Sequence, residues 1–271
     1  MAREITHPAT GATANQVKEL MATFDQGELI ALGLVEGHVG LRRFGLQNTI
    51  GAAVDSVIGD IVDQLEPWMP LISQEVEVVS DNAQDDATGV GARSITITGL
   101  DADWMEQTAV VVLDGLTPVV TTGLFWMRVH SAVVTTTAQY RGTSSGNITV
   151  QETESPAEPI VMIRAGHGGN LTTHYTVSAN KKFLVRNLQL QIESGTTMEV
   201  HFWVEPNGND IVAPYSPKIT LLETETVVGT LNGTFDPPSV LPAYSDVWAT
   251  GLVSAQTGQI FFGYSGVLIT P

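Results

Sequence analysis

The sequence predicts a mainly β protein: antiparallel β-sandwich or jelly-roll modules in tandem, preceded by a mixed N-terminal arm. Three observations predict it. Short runs rich in Val, Ile and Thr recur from residue 75 onward, bounded by turn-forming residues. In "RSITITG" the alternation is clean: Ile95 and Ile97 face one way, Ser94, Thr96 and Thr98 the other. No helical pattern separates these runs, and strand following strand without crossover helices makes antiparallel sheets.

Residues 1–72 form the arm. "NQVKELMATF" (residues 15–24) reads as a short helix. Residues 47–66 place Ile50, Val54, Val57, Ile58, Ile61, Val62 and Leu65 at helical spacing, and Pro67 and Pro70 stop the pattern. Gly51, Gly59 and the β-branched residues oppose a helix, so helical and extended readings both stand.

The first β module covers residues 73–155. Its strands are "EVEVVS", "SITITGL", "TAVVVLDG", "VVTTGLFWMRVHSAVVTT" and "GNITVQ". "QETESPAEPI" (residues 151–160) offers little to bury and reads as a linker or a crossover between sheets. The second, jelly-roll-like module covers 156–271, with strands in "HYTVSANKKFLVRNLQLQIES", "MEVHFWVEPNG", "DVWATGLVSA" and "QIFFGYSGVLIT". Alternation in "FLVRNLQLQI" puts Leu184, Leu188, Leu190 and Ile192 on one face. "EPNGND" is a hairpin turn with Asn207-Gly208 at its tip.

Composition narrows the function. Of 271 residues, 43% are hydrophobic and 15% charged, against about 25% charged in ordinary soluble domains. The surface is therefore rich in neutral polar residues, as suits a chain that packs against copies of itself. The net charge of −17 argues against a nucleic-acid partner, which needs clustered Lys and Arg, and against anionic membranes. There is no cysteine, hence no disulfide, thiolate chemistry or cysteine zinc site. "MAREITHPATGATANQ" lacks the apolar core of a signal peptide, and no apolar run approaches the ~18 residues of a membrane span. A soluble chain that no secretion route exports is expected.

Motifs for chemistry are weak. His167, His174 and His201 (beside Glu199) show no short ligand pair of the H-x-H or H-E-x-x-H kind, so they read as isolated surface or turn histidines. "AGHGGN" (residues 165–170) reads as a turn, because no nucleophile elbow accompanies it. In "DNAQDDATGVG" the residues Asp81, Asn82, Asp85 and Asp86 share a loop. Calcium takes such oxygens, but the order is not that of an EF-hand, and solvated acids are the plainer reading. No phosphate-binding glycine loop occurs. Sequons at Asn147, Asn170 and Asn232 are what an Asn- and Thr-rich chain contains by chance. No catalytic, cofactor or metal residue is assigned, and no enzyme is expected.

Several stretches carry a family resemblance. "VEVVSDNAQDDATGVGARSITITGLDADWMEQTAVVVLDGLTPVVTTGLFWMRVHSAVV" resembles a module of tailed-bacteriophage structural proteins, of marine and cyanophage type. The shared features are the acidic loop, the "GLDADW" turn, the "VVLDG" strand end, "PVVTT" and the later "GNITV". "AGHGGNLTTHYTVSANKKFLVRNLQLQI" and "PPSVLPAYSDVWATGLVSAQTGQIFFGYSGVLI" are similar to the opening and close of the module that follows it. The resemblance spans roughly residues 44–269. It implies a virion component of β-sandwich or jelly-roll type without catalysis, and an extended chain over residues 44–72. It supplies no site residues.

The expectation is therefore a homo-oligomer, a trimer among the candidate states, that serves as capsid decoration or cement, or is otherwise attached to the head. Expected partners are copies of itself and the major capsid protein or tail proteins. Symmetric assembly covers the open edges of a neutral β protein, and the arm would order on a neighbour. The alternative is a tail- or fibre-associated protein, or a carbohydrate-binding protein for host attachment. Candidate packing anchors are Trp68, Trp104, Phe125, Trp126, Trp203 and Trp248, whose ordinary role is core. Exposed Trp or Tyr platforms would favour the glycan reading.

Overall fold

The structure is a computed structural model that describes residues 26–31, 33–50, 56–59, 66–139, 141–193, 197–210, 212, 216–253 and 258–270. It is mainly β and antiparallel throughout, as expected. The one described helix, α1 (Gln26–Ala31), buries Leu29 and Ile30. The helix expected at 15–24 lies outside the described residues.

Strands β3 (Val76–Ser80), β4 (Ala92–Leu100), β5 (Glu106–Val112), β6 (Val119–Val120), β7 (Arg128–Thr137), β8 (Ile148–Glu152) and β9 (Pro159–Ile163) build the first sandwich. One sheet runs β6-β3-β8-β9, the other β5-β4-β7. Ile95, Ile97, Val111 and Val129 meet Val76, Val78, Ile148 and Val150 around Trp126. The alternation read in "RSITITG" holds: Ile95 and Ile97 are fully buried. Each such side chain contributes about 1.5–3 kcal/mol of hydrophobic stabilisation.

The stretch expected as a linker is a hairpin instead. β8 runs through Glu152, and β9 pairs back onto it, Val150 opposite Val161. β9 belongs to the first sandwich because Ile160, Val161 and Ile163 fill its core. The chain leaves this sandwich only after Gly169, which bridges to Val133.

The second sandwich takes strands from both ends of the described chain. Its first sheet is β1 (His38–Ile50), β16 (Gly258–Ile269), β11 (Lys182–Ile192) and β14 (Thr230–Leu241), in that order. Its second runs β10 (Tyr175–Thr176), β15 (Asp246–Val253), β12 (Met198–Glu205) and β13 (Ile219–Val227), with β2 (Ser56–Val57) also paired to β15. Phe183, Val185 and Phe262 from one sheet pack on Val200, Phe202 and Val247 from the other.

Residues 38–50 are thus a sheet strand and not a free arm, with Leu41 opposite Gly266 and Leu46 opposite Phe261. The helical spacing over 47–66 gives way to strand at 47–50 and 56–57 and to a bridge at Gly59; its remaining positions up to Leu65 lie outside the described residues, apart from Ile58. Tertiary pairing wins over apolar period there, in line with the β-branched side chains.

One face assignment shifts for a physical reason. Leu188, Leu190 and Ile192 point inward as expected, but Leu184 does not; Phe183 and Val185 take the core positions. A bulge between Val185 and Asn187 adds a residue and flips the face. "EPNGND" does turn, but β13 does not begin until Ile219, so it opens a longer connection rather than a tight hairpin.

Candidate functional site

The segments "GLDADW", "FWMRVH", "THYTVSAN" and "PAYSDVW" converge where the two sandwiches meet. β7 leaves the first core carrying Arg128 and His130; β10 and β15 of the second bring Thr176 and Asp246, and His174 just precedes β10. All five are buried. Arg128 grips Asp246 with a two-pronged fork, Nε to Oδ1 at 3.0 Å and a terminal nitrogen to Oδ2 at 2.8 Å. Its remaining terminal nitrogen donates to the Met127 carbonyl at 2.8 Å. The guanidinium lies over Trp104, 4.8 Å from the ring centroid, and Trp104 packs edge-on against Tyr244 of the second sandwich.

Asp246 collects the other donors. Thr176 Oγ1 donates to it, and His174 Nε2 lies 3.3 Å from Oδ1. His130 Nε2 accepts from the Thr176 backbone N–H at 3.2 Å, which leaves the proton on Nδ1. Arg43 of β1 donates to the His130 carbonyl at 3.2 Å and covers Tyr175. The protonation states follow. Burial alone would raise the Asp246 carboxyl, but Arg128 and the His174 bond outweigh it and hold it well below the usual range. Burial lowers both histidines; Arg43 deepens the shift at His130, and Asp246 opposes it at His174.

Gly208, expected at a turn tip, is a wall of this joint. A Cβ there would sit 2.1 Å from Asp246 Oδ2. Only glycine lets the loop backbone approach, and its N–H donates to the Tyr244 carbonyl.

An Asp–His–Thr arrangement invites a nucleophile reading, which access rules out. Thr176 and Asp246 are fully buried. The cavity beside His174, lined by Trp68, Val57, Gly59 and Val129, measures about 20 Å³, room for about one water and no substrate. The joint is a fastener between sandwiches. His174 is accordingly not the isolated surface histidine expected; His167 is, lying exposed in the turn at residues 164–168.

The acidic loop is also internal structure. Asp85 is fully buried and accepts from Ser80 Oγ and the Ala92, Ser145 and Gly146 N–H groups, each at 2.8 Å. Those bonds fill its lone pairs, leaving none for calcium. Asp81 clamps Asn147 by backbone and side chain, at 2.8 Å each. Asp86 caps the next turn, and its carboxyl is lowered by the N–H and hydroxyl of Thr88 and the Gly89 N–H.

The aromatic candidates separate. Trp68, Trp104, Trp126 and Trp248 are buried, Trp203 is half-buried, and Phe125 is 50% exposed. No described Trp or Tyr is exposed, so the stacking platforms a glycan site needs are not presented among the described residues.

What the first sandwich does present is an uncharged face. On the outside of β5-β4-β7, Val110 (64% exposed), Thr96 and Val133 (48% exposed) form one row. Val112, Ser94 and Thr136 form the next, and Thr108, Thr98 and Ser131 a third. Ser94 bonds Thr136 and Thr98 bonds Ser131, each at 2.6 Å, so the hydroxyls satisfy one another. β5 pairs only with β4 among the described residues and is an open edge.

No protein-family model and no curated protein matches the chain. Among solved structures it is similar to the Gt strain of infectious bursal disease virus (11% identity, 87% of this chain and 73% of that one, TM-score 0.26). It is also similar to a mutant VP2 protein of infectious bursal disease virus in derived T=1 particles (8%, 87% and 74%, 0.23). The PBSX exported protein XepA is a third (8%, 84% and 84%, 0.18). Likeness at these scores carries no weight for function.

Proposed function

We propose that this chain is a non-enzymatic structural component of a phage virion that assembles with copies of itself, as capsid decoration, cement or another head-attached protein. The observation that carries the reading is the uncharged face with its open Val-rich edge. In a chain with 41 charged residues among 271 (12 basic plus 29 acidic), three outward strand rows hold none. Edge strands normally carry Lys, Pro or bulges that repel a neighbour. "EQTAVVV" in β5 keeps only Glu106, at its far end. Such an edge is built to be covered, and symmetric assembly covers it.

Two further features support the reading. The buried joint fixes the sandwiches against each other, as a load-sharing particle component needs. The polar clusters of the joint and the acidic loop are taken up in internal bonds. The glycan-binding alternative gains no support, since no Trp or Tyr among the described residues is exposed.

Gold-conjugated antibody against this chain, applied to particles of the encoding phage, tests the location. Gold over the head is expected. Gold confined to the tail end would overturn the head assignment, and absence of the chain from purified, disrupted particles by mass spectrometry would overturn the virion reading.

A further inference from the structure

The outer face of the second sandwich holds a constellation that assembly does not explain. Glu199 and His201 stand two residues apart on β12, so both side chains leave the same face. Glu223 of β13 is the register partner of His201 across the strand pair. His201 Nε2 lies 3.0 Å from Glu199 Oε1 and 3.9 Å from Glu223 Oε1. One donor atom from each of the three falls within 4.8 Å of the others. It is the one such group of His and acidic residues among the described residues.

We propose that Glu199, His201 and Glu223 bind one divalent transition-metal cation of the zinc class, through His201 Nε2 and one oxygen of each glutamate. Donors around a tetrahedral ion at ~2.0–2.1 Å stand roughly 3.3 Å apart, and the two His–Glu separations bracket that value. The imidazole selects zinc-like ions over Mg²⁺ and Ca²⁺, which prefer all-oxygen shells. The histidine ring is held in place by stacking on Trp203, with centroids 4.9 Å apart and planes 29° apart. Trp203 is itself fixed by its Nε1 bond to Thr250 Oγ1 at 2.8 Å. The neighbouring cation, Lys218, lies over the Trp203 ring and is paired with Glu66 at 2.8 Å.

The ion would join β12 to β13, the edge strand of its sheet. Their pairing carries register shifts between Met198 and Val200 and between Phe202 and Trp203, on either side of His201. A cross-strand clip there pins the most irregular stretch of the pair. Three protein donors leave a coordination position open, filled by water or by a donor from outside the chain. The proposal stands independently of the assembly reading, because its readouts come from the isolated chain.

Isothermal titration of the EDTA-stripped, dialysed full chain with ZnCl₂ tests it. Expected are one ion per chain, a thermal midpoint that rises with Zn²⁺, and no competition from equimolar Mg²⁺. His201→Ala and Glu223→Gln should each weaken binding at least tenfold and remove the thermal shift. Glu223→Gln keeps shape at an exposed site, so an unchanged circular dichroism spectrum shows the variant folded. No binding up to ~1 mM Zn²⁺, a concentration that excludes even weak protein metal sites, would overturn the proposal. So would binding that both variants retain, since the ion would then sit elsewhere.

Discussion

The joint between the sandwiches and the outer face of the first one use opposite materials. The joint hides Arg128 and Asp246 with two histidines and half-buries Arg43. The three rows of the face carry only Val, Thr and Ser. In a chain with only 12 basic residues, one is buried and a second half-buried at this one contact, although desolvation costs several kcal/mol per ion. A buried charge pair is geometrically exacting: it fits one arrangement and is ruined by a small slip. A neutral face of short β-branched residues is undemanding and can be covered by a partner without stripping water from any ion. Fixed internal geometry is thus written in charge, and the face proposed as the assembly contact in neutral surface.

Breaking the joint sharpens this contrast most. Asp246→Asn keeps the shape but leaves Arg128 buried without a counter-charge. A loss of about 3–5 kcal/mol in chemical denaturation is expected. A loss under about 1 kcal/mol would mean the fork is not desolvated, as pairs open to water contribute at that level.

Acid should dismantle the joint in two steps. His130 and His174 have folded pKa values below the ~6.5 they show unfolded. Below that pH the unfolded chain takes up protons first, so stability is full above about pH 6.5 and falls as pH drops toward the folded values. Asp246 is likewise depressed in the fold. Its contribution is present above its unfolded value of ~3.9 and is lost as pH falls through the folded one. A lower denaturation midpoint at pH 5.5 than at pH 7.5 is expected; equal midpoints would show that the histidines are not held neutral.

The exposed rim of the joint should matter little. Lys181 reaches Glu106 at 2.7 Å across the two sandwiches, but Glu106 is half in water. Lys181→Ala should cost about 0.2–1 kcal/mol, less in high salt. Smallest of all should be the effect on monomer stability of Val110→Asp, within about 0.5 kcal/mol, since Val110 already faces solvent.

Much of the fold is legible in the sequence because β alternation is local. Ile95 with Ile97, and the runs at β4, β5, β8, β12 and β16, announce their strands residue by residue. β1, β13 and β14 do not, because their patterns are mixed and their partners lie far off: β1 pairs with β16, across more than 200 residues of sequence. A boundary near residue 155 is misleading because Pro and Glu punctuate a hairpin as readily as a linker. The joint escapes a reading of the sequence although each of its segments stands in it. Its signal is Arg128, a cation inside the apolar run "LFWMRVH" of a cation-poor chain, and nothing local links it to Asp246, 118 residues on. The Glu199–His201 pair is visible, but the third donor comes from a strand the pattern does not show.

Sedimentation velocity tests most directly whether the uncharged face is the assembly contact. The wild-type chain and Val110→Asp should be run side by side over a concentration series, with Lys181→Ala as a control substitution off the face. An oligomer is expected for wild type and for Lys181→Ala, and a folded monomer for Val110→Asp. A wild type that stays monomeric throughout, or a Val110→Asp that assembles as well as wild type, would contradict that assignment.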